Sequence, residues 1–168
     1  MRRLAAVLAA ATVALGGFSA YAFDRAGELR NAGVMTNTAL TDNARTSEVK
    51  GAVVSALQDL FSCDYTDLAK VDRAAKDLLV GGAPAQYERL FGPVRTAAAA
   101  QGIVLTTTIT DSAVRSLQDG RARVLVFADQ ASSSAKSGKS GRQSTMMAVD
   151  AVRQGGRWKI AGIDTFTG

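Results

Sequence analysis

Histidine is absent from this chain, and cysteine occurs once, at Cys63. The first absence removes the side chain most often used as a general base near neutral pH. With it go the Ser-His and Cys-His nucleophile pairs and most zinc sites. The second means that no disulfide can form within the chain, so an exported domain has to rely on its apolar core. Cys63 lies between Ser62 and Asp64, with no basic neighbour in sequence to lower its pKa. It reads as a small, half-buried apolar residue rather than a reactive or intermolecular thiol. Aromatic residues make up only 6% of the chain and the basic residues are scattered, which argues against nucleic acid as a partner. Charge of either sign is also absent from Leu4 to Phe23, a run of 20 residues.

Twenty helical residues at about 1.5 Å each match the roughly 30 Å hydrocarbon core of a bilayer. Arg2 and Arg3 precede the run, and Asp24-Arg25-Ala26-Gly27-Glu28 follows it. The arginine pair is expected to keep the N-terminus in the cytoplasm. A cleaved secretory signal fits the same residues, with a basic start, the apolar stretch Leu4 to Gly17 and the small-x-small site Ala20-Tyr21-Ala22. The run holds only three leucines and two valines, so composition does not choose between anchor and signal. Both put the remaining 145 residues outside the cytoplasm, enough for one domain with a sizeable core. Two of the 20 basic residues lie in the leader, leaving 18 against 15 acidic ones. That excess is mild, and a weak attraction to anionic membrane lipid does not discriminate.

Residues 24–41 read as a polar juxtamembrane extension, and residues 42–168 as the domain. Thr41 or Asp42 can cap a first helix, whose apolar face is Val49, Val53, Ala56, Leu57, Leu60 and Phe61 and whose end is near Ser62. A second helix is predicted from Asp67 to Leu79, with Leu68, Val71, Ala75 and Leu78 as its stripe and Gly81-Gly82 as its stop. Pro84 opens a third, with Tyr87, Leu90, Phe91 and Val94 inward, a kink or break at Gly92-Pro93, and a fade through Ala97 to Ala100. The period then changes to two. Ile103 to Thr110 reads as a strand that can continue through Leu117, with Ile103, Leu105, Thr107 and Ile109 on one face. Asp119-Gly120 signals a hairpin. Arg121 to Gln130 is the second strand, apolar enough to be central. Ser132 to Arg142 reads as a serine- and glycine-rich loop carrying Lys136, Lys139 and Arg142. Gln143 to Arg153 and Arg157 to Phe166 follow as third and fourth strands around the Gln154-Gly155-Gly156 turn. Three helices followed by a four-stranded antiparallel meander predict an α+β domain with helices on one face of the sheet. By element order this is analogous to the cone of the nuclear-transport-factor-like, or cystatin-like, superfamily.

The motifs are weak. Gly138-Lys139-Ser140 resembles the end of a phosphate-binding loop, but position 133 is serine and strands are predicted on both sides, so a flexible basic hairpin tip is the better reading. Its length and exposure suit a docking surface. Asp64 and Asp67 are explained by turn formation and helix capping. Asp129 and Asp150 fall on strands, where an inward aspartate could act as a base and an outward one would merely face solvent. Trp158, between Arg157 and Lys159, reads as a core anchor. No catalytic, cofactor-binding or metal-ligating residue is nominated, and no cofactor.

An ordered set of segments carries a resemblance. After the apolar leader come Asn37-Thr38-Ala39-Leu40-Thr41-Asp42, then Leu60-Phe61-Ser62-Cys63-Asp64-Tyr65, then Tyr87-Glu88-Arg89-Leu90-Phe91. Val126-Phe127-Ala128-Asp129-Gln130 follows, and Gly156-Arg157-Trp158-Lys159-Ile160 runs on to Asp164-Thr165-Phe166. This order resembles the actinobacterial Mce-associated membrane proteins (Mce, mammalian cell entry), with Cys63 standing where that family has another residue. The resemblance implies an uncleaved single-pass anchor in the plasma membrane and a nuclear-transport-factor-like domain on its outer side. It also implies a non-enzymatic accessory role in Mce lipid import, with Mce subunits and permeases as partners. A lipid- or steroid-binding carrier using the cone's interior is the alternative, and an isomerase-type enzyme a more distant one.

Overall fold

The computed structural model describes residues 37–166. The expected span at Leu4 to Phe23 lies outside them, as does most of the juxtamembrane extension. Among the described residues no helix is long and apolar enough to cross a membrane.

The chain joins the domain at Thr38, whose N–H and hydroxyl both donate to the Leu117 carbonyl, at 2.9 and 3.1 Å. Ala39 is buried beside it. Helix α1, Asn43–Phe61, starts where the Asp42 carboxylate accepts the Arg45 N–H at 2.9 Å, satisfying one of the orphan donors of a helix start. Its predicted face is its buried face: Val49, Val53, Leu57 and Leu60 have no exposed surface. Each such side chain contributes about 1.5–3 kcal/mol by leaving water. The helix ends at Ser62, where the chain turns extended.

Helix α2, Leu68–Leu78, is capped by Asp67, which accepts the Lys70 N–H at 3.2 Å. Val71 is its one fully buried side chain, with Leu68, Ala75 and Leu78 packed partly against the core. Helix α3, Ala83–Gln101, is one unbroken helix through Gly92-Pro93, where the sequence predicts a kink or a break. Gly92 has no Cβ for the proline ring to strike, and the Arg89 carbonyl that loses its partner belongs to an exposed residue. Tyr87, Phe91 and Ala98 are buried, whereas Leu90 is 38% exposed, against expectation. It sits about 100° round the helix from Phe91, at the edge of the stripe. Gly102, at φ 65°, ends the helix in the left-handed region. Phe61 meets Tyr87 and Phe91 edge-on, at centroid distances of 5.4 and 5.7 Å, while Tyr87 and Phe91 stack at 5.3 Å.

The antiparallel sheet has five strands, one more than the sequence predicts, in the order β1 to β5. The extra strand, β1, is Cys63–Asp64, paired with Leu105 and Val104. Two residues are too few to display a period. Strand β2, Ile103–Gln118, is continuous and carries bulges between Ile109 and Asp111 and between Val114 and Ser116. Each bulge resets which residues face inward, so the alternation fades after Ile109. Asp119 and Gly120, at φ 47° and 71°, make the predicted tight turn. Strands β3, Arg121–Ser134, and β4, Ser140–Gln154, take up most of the predicted loop, of which only residues 135–139 remain as a turn. Ser132 pairs with Gly141 and Ser133 with Ser140 in a ribbon with little apolar side chain. Its side chains bury almost no apolar surface, so composition reads as loop. Strand β5, Arg157–Thr165, closes the sheet, and the Val80 N–H donates to its Ile160 carbonyl at 2.8 Å.

The helices cover one face of this sheet. Thr107 ties α1 to it, donating its hydroxyl to the Phe61 carbonyl at 2.6 Å and its N–H to the Ser62 hydroxyl at 2.9 Å. Trp158 is buried in the core as predicted, with its indole N–H unpartnered.

Candidate interaction surface

The inner face of the sheet is spent on packing. Val124, Val126, Val149 and Ile160 oppose Val49, Val53 and Leu57 of α1 in one core, all almost fully buried. The two strand aspartates lie elsewhere. Asp129 alternates with buried Ala128 and Val126, so it points to the outer face, where it accepts the Ser144 hydroxyl at 2.6 Å. Asp150, also outward, holds Arg123 through two contacts of 3.1 and 3.0 Å, and Arg123 reaches Asp164 at 3.1 Å. Neither carboxylate enters the cone: Asp129 is taken up by the Ser144 hydroxyl and Asp150 by the Arg123 ion pair it shares with Asp164.

The other singled-out residues serve structure. Asp64 accepts the N–H and hydroxyl of Thr66 at 2.8 and 2.7 Å, and these two bonds lower its pKa. Burial pushes the Cys63 thiol pKa up. The basic turn is docked on α3. Lys136 donates to the Ala100 carbonyl at 2.7 Å, Ser134 to that of Gln101 at 2.8 Å, and the Ala135 N–H to that of Gly102 at 2.8 Å. These groups satisfy carbonyls that a helix end leaves free, and the cation suits the negative end of the helix. Gly138 lies at φ 65° in this turn, with strands on both sides and no phosphate cradle. Between α2 and α3 an open cleft is floored by Ala75, Leu79 and Tyr87, and Arg95 bridges Asp72 at 2.6 Å and Glu88 at 3.0 Å across it.

The exposed outer face of the sheet was not foreseen as a site. Phe127 is 46% and Met146 38% exposed, and the two are directly paired across β3 and β4. Thr165 pairs with Met147, which brings Phe166, 53% exposed, level with Met146. Asp111 stands opposite Phe127 on its other side. A row of three large apolar side chains thus crosses the sheet, with Leu125 and Ala148 adjoining it. The signal was in the sequence: Phe127 is out of phase with Val124, Val126 and Ala128, which already fill the inward positions.

No protein-family model matches the sequence, and no curated protein matches it. Solved structures do. A periplasmic fragment of TraM aligns at a TM-score of 0.62 and 11% identity, over 71% of this chain and 96% of that one. An IcmL-like type IV secretion system protein from Legionella pneumophila aligns at 0.62 and 9%, over 74% and 91%. CagV, a VirB8 homolog of the type IV secretion system from Helicobacter pylori, aligns at 0.59 and 12%, over 71% and 96%. At such identities the likeness is one of fold alone, helices packed on one face of an antiparallel sheet.

Proposed function

We propose that this chain is a membrane-tethered, non-enzymatic accessory subunit that helps hold a multiprotein transport assembly together through its extracytoplasmic domain. The observation that carries the reading is the division of the sheet: an inner face closed by core packing and an outer face with Phe127 and Met146 in the open. A carrier would need room in the cone, where α1 side chains now stand. An isomerase would need an acid or base inside, and Asp129 and Asp150 point out. The leader at Leu4 to Phe23 supplies the tether. Similar folds in components of secretion machineries lend the assembly role support by analogy of architecture alone.

Among transport assemblies, the order of segments from Asn37 to Phe166 nominates an Mce lipid importer at the plasma membrane. The test is a gentle-detergent pull-down of the C-terminally tagged full chain from its native membrane, read by mass spectrometry. Mce subunits and permeases in defined ratio, with the N-terminal peptide intact, are the expected result. A chain recovered alone and beginning at Phe23 would sink both the tether and the assembly role.

A further inference from the structure

The carboxylates around the apolar row are unevenly matched. Asp111 flanks Phe127 across β2, Asp129 follows it two residues along β3, and Asp164 stands one row away opposite Ala148. Asp150 lies one row further. Arg123 is already engaged by Asp150 and Asp164, and Arg142 of β4, on this same face, stands two rows from Phe127, opposite Ala131, so the charges nearest the apolar row are carboxylates. The middle of the outer face is therefore apolar with a net negative rim, on a chain whose formal net charge is +5.

We infer that this face docks a polypeptide segment that carries apolar side chains between lysines or arginines. Phe127 and Met146 form the centre of contact, with Phe166 at its border. Large exposed aromatic and methionine side chains are the types that dominate binding energy once desolvated, and a ring of charge around them sets which partner is admitted. The rim repels anionic lipid headgroups, so the face is not a membrane contact. It also opposes a second copy of the chain, because face-to-face pairing would bring two sets of these carboxylates together. Steering by the rim makes the affinity fall as salt rises.

This inference deepens the assembly reading and rests on it for its setting. Its experiment addresses the face alone, so that its failure leaves co-purification with a transporter untouched. The full chain in zwitterionic lipid nanodiscs is titrated with an amphipathic leucine–lysine peptide and with its leucine–glutamate counterpart, against empty nanodiscs. The lysine peptide is expected to bind the chain beyond the empty-disc background, and the glutamate peptide not to bind. Phe127→Ser with Met146→Ser should weaken binding about tenfold or more. Asp111→Asn with Asp164→Asn should weaken it several-fold and flatten its salt dependence, while leaving the apolar row in place. Circular dichroism of each variant checks the fold, and the second pair of substitutions tests the idea if the first disturbs it. Equal binding of both peptides would overturn the proposal, as would binding indifferent to all four substitutions. Sedimentation showing a dimer of the unliganded chain that Phe127→Ser dissolves would assign the face to a second copy instead.

Discussion

The hydroxyl of Tyr87 on α3 donates to the carbonyl oxygen of Leu60 on α1 at 2.5 Å, inside the core and across 27 residues of sequence. Leu60 lies in the last turn of α1, where carbonyls lack intrahelical donors, so the phenol serves as a cap delivered from another helix. Burial holds the Tyr87 pKa well above the usual tyrosine range, which keeps the hydroxyl a donor at any physiological pH. Tyr87→Phe retains the ring packing on Phe61 and Phe91 but orphans that carbonyl. The expected cost is about 1–2 kcal/mol, seen as a lower urea midpoint at unchanged slope.

Pro93 should be a stability reserve. It is exposed in the interior of α3, where it supplies no N–H and crowds the preceding turn. Pro93→Ala is expected to stabilise the domain by about 1–3 kcal/mol, measured as a higher midpoint in thermal or urea unfolding.

Cys63 should be slow to react. It is 4% exposed on β1, and its raised pKa leaves little thiolate. Ellman's reagent at mildly alkaline pH is expected to label it slowly in native protein and quickly in urea. The unfolded thiol ionises first, so this group's contribution to stability is complete below its unfolded pKa of about 8.5. It is lost as pH rises through the folded value. Cys63→Ala should delay the onset of alkaline destabilisation until Tyr87 takes over at higher pH.

The acid limb has a different origin. Arg157 donates to both Asp77 oxygens, at 3.1 and 2.9 Å, joining β5 to α2. Those bonds and the guanidinium charge lower the Asp77 pKa. Its contribution is therefore present above the unfolded carboxylate value of about 3.9 and is lost as pH falls through the folded one. In Asp77→Asn the decline of stability below that pH should be shallower. A slope identical to the parent's would assign the acid limb elsewhere.

Helix faces were legible wherever apolar residues recurred every three or four positions. Val49 through Phe61 is the clearest case, and the caps Asp42 and Asp67 could be read from their side-chain chemistry. The sheet was less so, for three separate reasons. The pair Cys63–Asp64 is too short to carry a pattern. The bulges after Ile109 and Val114 break the alternation that marks a strand. Ser132–Ser134 and Ser140–Arg142 have the composition of a loop because their ribbon buries almost nothing. The outer row was legible residue by residue, since Phe127 and Met146 are large and apolar. Their alignment with each other depends on a register that only the hairpin around residues 135–139 sets. Composition places Lys136 in a flexible basic hairpin tip, and its role at the end of α3 depends on a helix residue 36 positions earlier in sequence.

Thr38 meets the sheet at Leu117, near the C-terminal end of β2, while residues 135–139 lie beyond its N-terminal end at Ile103. Fourteen residues at about 3.3 Å each separate these points, roughly 45 Å along one strand. Helix α1 runs only about 28 Å, so the far end of the ribbon is met by the C-terminal end of α3 instead. Thr38 and the far hairpin are thus held at opposite ends of one strand, and a deletion of paired residues from β2, β3 and β4 together would bring them closer only by removing positions such as Leu105 that the core and β1 use.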